Sequence, residues 1–524
     1  MRSVEIVLFL VVLATVVAAF AKRLRVPAPS LLVVCGLVVG LLPGVPAVRV
    51  PPDVVSLVVL PPLLYAASEE LPWRDLRAVW RPVAVLAVGL VLASAAAVAG
   101  VVGALAPVPA SLAFVLGAVL ASTDPVAVTA LGRRLSLPAR VQALVQAESL
   151  FNDGTSLVLF KIAVAFAVGG GAGRAVPGVV VDGVGQFAVL AGGGLLAGVL
   201  VAAGVIVVRR RITDPVQETV VALITPYAAY VLGETLHVSG VTAVIVAGLA
   251  IGAGRARITT AQTRLQLHSV YQTVIFLLES VVFSLIGLQL PTLIRALHTG
   301  EWLLTALAVT GTLMAIRILW VFPLWAVFQW RDGARRPGWP VPAVVSWAGT
   351  RGVVPLAAAL SIPLVTVGGA PLPDRDLVLV LAATVIAVSL ILQGLTLAPL
   401  VRFAGLGQPA AGPHEETIAR LRLAEAGLAR LDELAESSAA PDTVIDGLRT
   451  SIQARIGSTR ARLDEHPDAE RATLTERDLR RDLIAAENAE LSRLYDAGAI
   501  SAATRRRLQQ ALDLEVARLS DGHR

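Results

Sequence analysis

A single cysteine, Cys35, in 524 residues leaves no material for a disulfide framework or a cysteine-based metal cluster. It sits inside an apolar run and reads as a packing residue. Charge is scarce as well: 16% of the chain is charged and 56% hydrophobic, with a mean hydropathy of +0.75, whereas a soluble globular chain carries roughly 25% charged residues. The solvent for most of this chain is therefore lipid. There is also no basic patch or stripe to explain the net charge of +6 and the pI near 10.0. The excess positive charge comes in small clusters between hydrophobic runs, which argues against a nucleic-acid partner and for a topology signal.

The N-terminus contains Ala19-Phe20-Ala21 after an apolar stretch, the pattern of a signal-peptidase site. Lys22, Arg23 and Arg25 follow that stretch, whereas a cleaved signal carries its positive charge before it, so a retained first span is expected. Apolar runs long enough to cross roughly 30 Å of hydrocarbon fall near 4–21, 28–46, 53–68, 82–105, 109–131, 139–168, 183–208, 216–235, 238–254, 266–294, 301–328, 341–367 and 376–402. Thirteen spans can be tested by loop charge. With the first run exiting into the cytoplasm, its loops hold 18 basic residues: Lys22, Arg23, Arg25, Arg74, Arg77, Arg81, Arg133, Arg134, Arg140, Arg209, Arg210, Arg211, Arg255, Arg257, Arg264, Arg331, Arg335 and Arg336. The opposite loops hold four, Arg49, Arg174, Arg295 and Arg375. This is the asymmetry of the positive-inside rule, with the N-terminus outside and the C-terminal tail inside.

Residues 1–413 carry net charge +10 and residues 414–524 net −4. Gly405, Gly407, Pro409, Gly412 and Pro413 form a breaker-rich linker between them, so the expected domains are a transmembrane domain over 1–405 and a cytosolic helical domain over 406–524. In the tail, Ile418, Leu421, Leu428 and Leu431 recur at helical spacing. A solvated or dimerising helical domain and a regulatory ligand site both fit it.

Ionisable residues inside spans are costly and mark functional sites by default; here they are Asp124, Glu148, Asp153, Lys161, Glu279, Arg317 and Arg351. Asp124 lies in Ser122-Thr123-Asp124-Pro125 in the fifth run, where Pro125 disfavours helix at the residue before it. A broken span exposes backbone carbonyls and half-helix ends at mid-depth. In the sixth run, Glu148, Ser149, Asn152 and Asp153 share one arc of about 140° at roughly 100° per residue, while Leu150 and Phe151 point elsewhere. Two carboxylates, an amide and a hydroxyl on one face suit a hard cation or a proton. The twelfth run carries Gly349-Thr350-Arg351-Gly352-Val353-Val354-Pro355, a second broken span with a fixed positive charge. The second lies seven spans after the first, and an odd offset means that they cross in opposite directions, as in an inverted-repeat transporter. Lys161 either snorkels to the interface or forms a core salt bridge, Glu279 and Arg317 read best as bundle ion pairs, and His237, His268 and His298 fall at span ends or loops.

With these residues in view, the chain resembles the monovalent cation:proton antiporters, in the branch of bacterial NhaP-type and eukaryotic sodium/proton exchangers. The likeness covers roughly 1–405 and rests on Ser122-Thr123-Asp124-Pro125, Glu148-Ser149-x-x-Asn152-Asp153 and Arg351-Gly352. It implies an all-α fold of thirteen helices, a homodimer, a six-helix core moving against a dimerisation domain, and a multi-pass place in a bacterial plasma membrane. By position, it makes Asp153 the carboxylate for cation and proton, with Asn152 beside it. Thr123, Asp124 and Ser149 supply Na⁺ ligands, and Glu148 pairs with Arg351. Asn152, in place of a second aspartate, resembles electroneutral members. Some NhaP-type members have a glutamate where this chain has Ala66, after Leu60-Pro61-Pro62-Leu63-Leu64-Tyr65, which leaves Na⁺, K⁺ and Li⁺ all open as substrates. No cofactor is required. A cation channel and a membrane sensor signalling through the tail are the other classes these residues admit.

Overall fold

The computed structural model describes residues 11–17, 19–20, 28–42, 51–124, 139–169, 176–212, 214–297, 301–331, 338–405, 411–437, 441–463 and 467–497, with isolated positions beyond 503. Pro125, His298, Arg174 and the basic residues at 22–25, 133–134 and 335–336 lie outside them, as do the side chains of Arg140, Arg255 and Arg257. Within the described residues the chain is helical almost throughout, in two compact units, 1–408 and 409–524.

The first unit carries helical residues 11–17 and 19–20, then α1 (Ala28–Leu41), α2 (Pro52–Glu70), α3 (Trp73–Leu105), α4 (Ala110–Leu120), α5 (Ala139–Val168), α6 (Val176–Arg209) and α7 (Pro215–Thr235). It continues with α8 (Gly240–Ile258), α9 (Ala261–Ala296), α10 (Trp302–Arg331), α11 (Pro340–Trp347), α12 (Val353–Leu360) and α13 (Arg375–Phe403). Each of the thirteen apolar runs thus contains helix. By length and composition six are membrane spans outright, namely the helices over 73–105, 141–168, 183–209, 263–295, 302–330 and 375–403, and three shorter apolar helices accompany them. The apolar residues left on the surface, such as Leu196, Leu200, Leu304 and Leu319, are what lipid-facing helices present.

With lipid on the outside, helices associate through close packing of small residues more than through burial of apolar area. The α1–α9 pair shows this: a side chain at Gly36 would run into the Ser284 carbonyl and one at Gly287 into the Val33 carbonyl. α13 is the most buried of the six long spans, with Val378, Val380, Leu381 and Ala382 wholly buried.

Two elements depart from continuous helix. α4 stops at Leu120, and residues 122–124 are not helical. Between α11 and α12 the chain is likewise open over 349–352. Pro355 takes the third position of α12, where a backbone N–H has no partner within the helix anyway. The two openings meet: the Asp124 N–H donates to the Thr350 carbonyl at 2.7 Å, and Thr350 Oγ1 donates to the Asp124 carbonyl at 2.8 Å. The crossing of two broken spans expected from the sequence is therefore present.

The second unit comprises α14 (Ala411–Ser437), α15 (Asp442–Leu463) and α16 (Pro467–Asp496). α14 and α15 pack as an antiparallel hairpin, tied by Arg449 to Asp432 at 2.8 Å and Arg460 to Glu425 at 2.9 Å. Ala424, Ile445 and Ile456 are buried in it.

Candidate cation site at the crossing of two broken helices

Breaking a helix in lipid leaves carbonyls with no water to satisfy them, and most of the site's polar side chains answer that need. On α5 the arc that holds Glu148, Ser149, Asn152 and Asp153 faces the end of α4. Ser156 Oγ donates to the Ala118 carbonyl at 2.6 Å, and Ser149 Oγ to the Thr123 carbonyl at 2.5 Å. Asn152 Nδ2 donates to Thr123 Oγ1 at 3.2 Å and to Glu148 Oε1 at 3.0 Å. Ser122 Oγ donates to Asp153 Oδ1. The carboxylate of Asp153, 7% exposed, is thus fixed between α5 and the opened end of α4.

Two arginines cap the remaining carbonyls. Arg351 Nε donates to the Leu120 carbonyl at 3.0 Å, at the last turn of α4, and Nη1 donates to the Gly349 carbonyl. Its backbone N–H is held by Ser389 Oγ at 3.2 Å, and Ser389 donates onward to Gln393 at 2.7 Å. Arg317 reaches from α10 to the Val345 carbonyl of α11 at 3.1 Å. The same guanidinium grips Glu148 with both arms, Nη1 to Oε1 at 2.6 Å and Nη2 to Oε2 at 2.8 Å.

This corrects the expected Glu148–Arg351 pair. Arg351 is spent on the C-terminal end of α4, where a cation meets the negative pole of the helix. Arg317, whose planar fork matches a carboxylate, is the partner of Glu148. Asp124 occupies the opposite pole: its carboxylate fills the space beside Gly352 at the start of α12, where a side chain on Gly352 would collide with it.

Thr123, Asp124, Ser149 and Asp153 line one cavity of about 210 Å³, which also reaches Glu70 and Glu279. A second cavity of about 410 Å³ is lined by Asp53, Phe160, Lys161, Tyr230 and Glu234. Asp153 borders the first and not the second; Leu157, one turn further along α5, borders the second. Of the predicted site residues, Thr123, Asp124, Ser149, Asn152 and Asp153 are brought together, with Glu148 behind Asn152 and Arg351 across the α4 end. Lys161 forms an ion pair with Glu234 in a partly exposed setting. His268 lies 3.7 Å from Glu70, and His237 caps α7 with a left-handed backbone.

Sequence reasoning missed two contributors and the partner of a third. Ser156 continues the α5 arc by one turn and was within reach of the same helical arithmetic. Ser122 stood in a quoted motif without a role. Arg317 forms the bundle ion pair expected of it, but no local signal points to its partner, Glu148, 169 positions away.

The chain matches the transmembrane sodium/hydrogen exchanger family over residues 9–403. It is 35% identical to an uncharacterized Na⁺/H⁺ exchanger of Mycobacterium tuberculosis, over 98% of this chain and 96% of that one. It is 30% identical to the Na⁺/H⁺ antiporter ApNhaP of Aphanothece halophytica, covering 84% and 81%. The sodium, potassium, lithium and rubidium/H⁺ antiporter of Bacillus subtilis is also 30% identical, covering 75% and 61%. Among solved structures, the sodium proton antiporter MjNhaP1 of Methanocaldococcus jannaschii superposes with a TM-score of 0.61 at 20% identity, over 78% of this chain and 99% of that one. The chain belongs to the sodium/hydrogen exchanger family of multi-pass membrane proteins.

Proposed function

We propose that this cation/proton exchanger works through one alternating site, the carboxylate of Asp153, which carries either a proton or a monovalent cation. The observation that carries the reading is the position of Asp153, buried at the end of a cavity and held at the crossing of two broken helices. Carboxylates of Asp153 and Asp124 and hydroxyls of Ser149 and Thr123 provide hard oxygen ligands for Na⁺. A hydroxyl rotates to suit its partner, so the Ser122 hydroxyl that donates to Asp153 can also turn its oxygen toward a cation. Asn152 orders Thr123, and the Glu148–Arg317 pair fixes Asn152 from behind.

Coupling follows from charge. An isolated charge at the bilayer centre costs several kcal/mol or more, so the site crosses when its carboxylate is occupied and stalls when it is bare. Exchange of one cation for one proton moves no net charge and needs no ATP. The cavity on one side of Asp153 and the separate one beyond Leu157 fit alternating access, in which a core carrying α4, α5, α11 and α12 moves against the remaining helices of a homodimer. The loop charges favour a bacterial plasma membrane protein with its N-terminus outside and its tail in the cytoplasm, where the tail offers a surface for a regulatory ligand or protein.

The test is Asp153→Asn in proteoliposomes, read by cation-dependent dequenching of a pH dye with Na⁺, K⁺ and Li⁺ in turn. The expected outcome is loss of the signal for all three ions in protein that still purifies as a folded species. Dequenching at wild-type rate overturns the proposal.

A further inference from the structure

Glu279 stands half-way along α9, in the run Val274-Ile275-Phe276-Leu277-Leu278-Glu279-Ser280-Val281-Val282-Phe283, where an ionised side chain in lipid is costly. Costly groups of this kind are normally paired. Among the described residues, however, nothing donates a hydrogen bond to Glu279 and no basic group is bonded to it. Its side chain is half-buried and borders the cavity that leads to Asp153, close enough to Asp124 for the two charges to interact.

The acidic groups along this cavity are graded by depth. Glu70 is exposed beside His268, Glu279 and Asp124 are half-buried, and Asp153 is buried. No Lys, Arg or His is among the described residues lining it. An unpaired carboxylate held at partial depth, in a wall without positive charge, attracts a small cation that has shed part of its water. Apolar neighbours across the cavity, such as Leu63 and Leu64, keep the effective dielectric low and strengthen that attraction.

We propose that Glu279 forms a second, shallower cation site: a station in the access cavity that a monovalent cation occupies on its way to Asp153. The inference rests on the reading of Asp153 as the transport site. It assigns Glu279 the task of raising the local cation concentration and removing part of the hydration shell before the final transfer.

The experiment compares wild type with Glu279→Gln and Glu279→Asp, full-length in proteoliposomes, at fixed pH with Na⁺ varied. For E279Q the apparent KM for Na⁺ is expected to rise about three- to tenfold with the maximal rate within about twofold, the scale of one charge removed from a partly dehydrated site. E279D is expected to restore the wild-type KM. An unchanged KM in E279Q overturns the proposal, and so does a loss of maximal rate that E279D does not rescue, because that pattern belongs to a structural role.

A second readout separates this site from Asp153. Radioactive ²²Na⁺ binding to purified Asp153→Asn protein is expected to retain a weak component that the D153N/E279Q double variant lacks. Identical binding in those two proteins counts against the Glu279 site whatever Asp153 does. Normal transport by D153N removes the premise and leaves the E279Q result to judge Glu279 by itself.

Discussion

The carboxylate of Glu148 is wholly buried and sits between both arms of Arg317, so removal of either partner strands a charge in a dry interior. Stranding of that kind costs about 3–5 kcal/mol, whereas replacing both partners with neutral groups of similar size is often nearly neutral. Arg317→Met should therefore lower the apparent melting temperature sharply, and Glu148→Gln combined with Arg317→Met should recover much of the loss. The same double change built with Arg351 in place of Arg317 should show little coupling, because Arg351 is engaged with the Leu120 and Gly349 carbonyls. A thermal-shift cycle in detergent decides it, and strong coupling of Glu148 to Arg351 would contradict the observed pairing. Lys161–Glu234 is the contrasting case: its side chains are 28% and 39% exposed, so it belongs with surface pairs worth at most about 1 kcal/mol. Depth, not residue type, separates the two.

At the scale of elements, the crossing works because each broken helix supplies what the other lacks. The opened end of α4 offers carbonyls to Arg351 and Thr350, while the start of α12 receives the carboxylate of Asp124 in the space beside Gly352. Gly352→Ala puts a methyl group into that carboxylate. We expect the protein to assemble with its helix content intact, because Gly352 precedes α12 and its φ of −123° is open to alanine, and Na⁺-dependent proton movement to fall at least about tenfold, because displacement of a ligand by 1 Å costs that much or more. Circular dichroism and vesicle transport on one sample measure both, and unimpaired transport would show that Asp124 does not need its place. Much of this arrangement was legible in the sequence. Hydropathy located the thirteen apolar runs, and proline, joined in the twelfth run by two glycines, marked the broken ones. The 100° step placed Glu148, Ser149, Asn152 and Asp153 on one face, since spacing along one helix is a local property. Which arginine met Glu148 was not legible, because that depends on how α10 passes behind α5, and no spacing within either helix encodes it. Glu279 was read as half of a bundle ion pair for the same reason: a sequence shows that a charge lies in a span, but not whether a partner or a cavity lies opposite.

For the molecule as a whole, one cavity reaches Asp153 and a second lies beyond Leu157, and on the proposed reading of Asp153 transport becomes a competition for one carboxylate. A protonated Asp153 offers no negative charge to a cation, and the charge of a bound cation lowers the affinity of the Asp153 carboxylate for a proton, so each ligand weakens the other by the same factor. As pH falls on the side where cation binds, a growing share of the sites is protonated. The apparent KM for Na⁺ must therefore rise, approaching a tenfold increase for each unit of pH once protonation dominates, as mass action requires for a competitor. Saturating Na⁺ displaces the proton, so the maximal rate at saturation should change much less than KM over the same range. Initial rates of dequenching across a Na⁺ series, repeated at half-unit steps between pH 6 and 9 with the opposite face held constant, provide the measurement. A KM that stays level while the maximal rate falls with acidification would mean that proton and cation occupy separate groups. Two sites of that kind would need a coupling element between them, which a mechanism built on the one carboxylate of Asp153 does not contain.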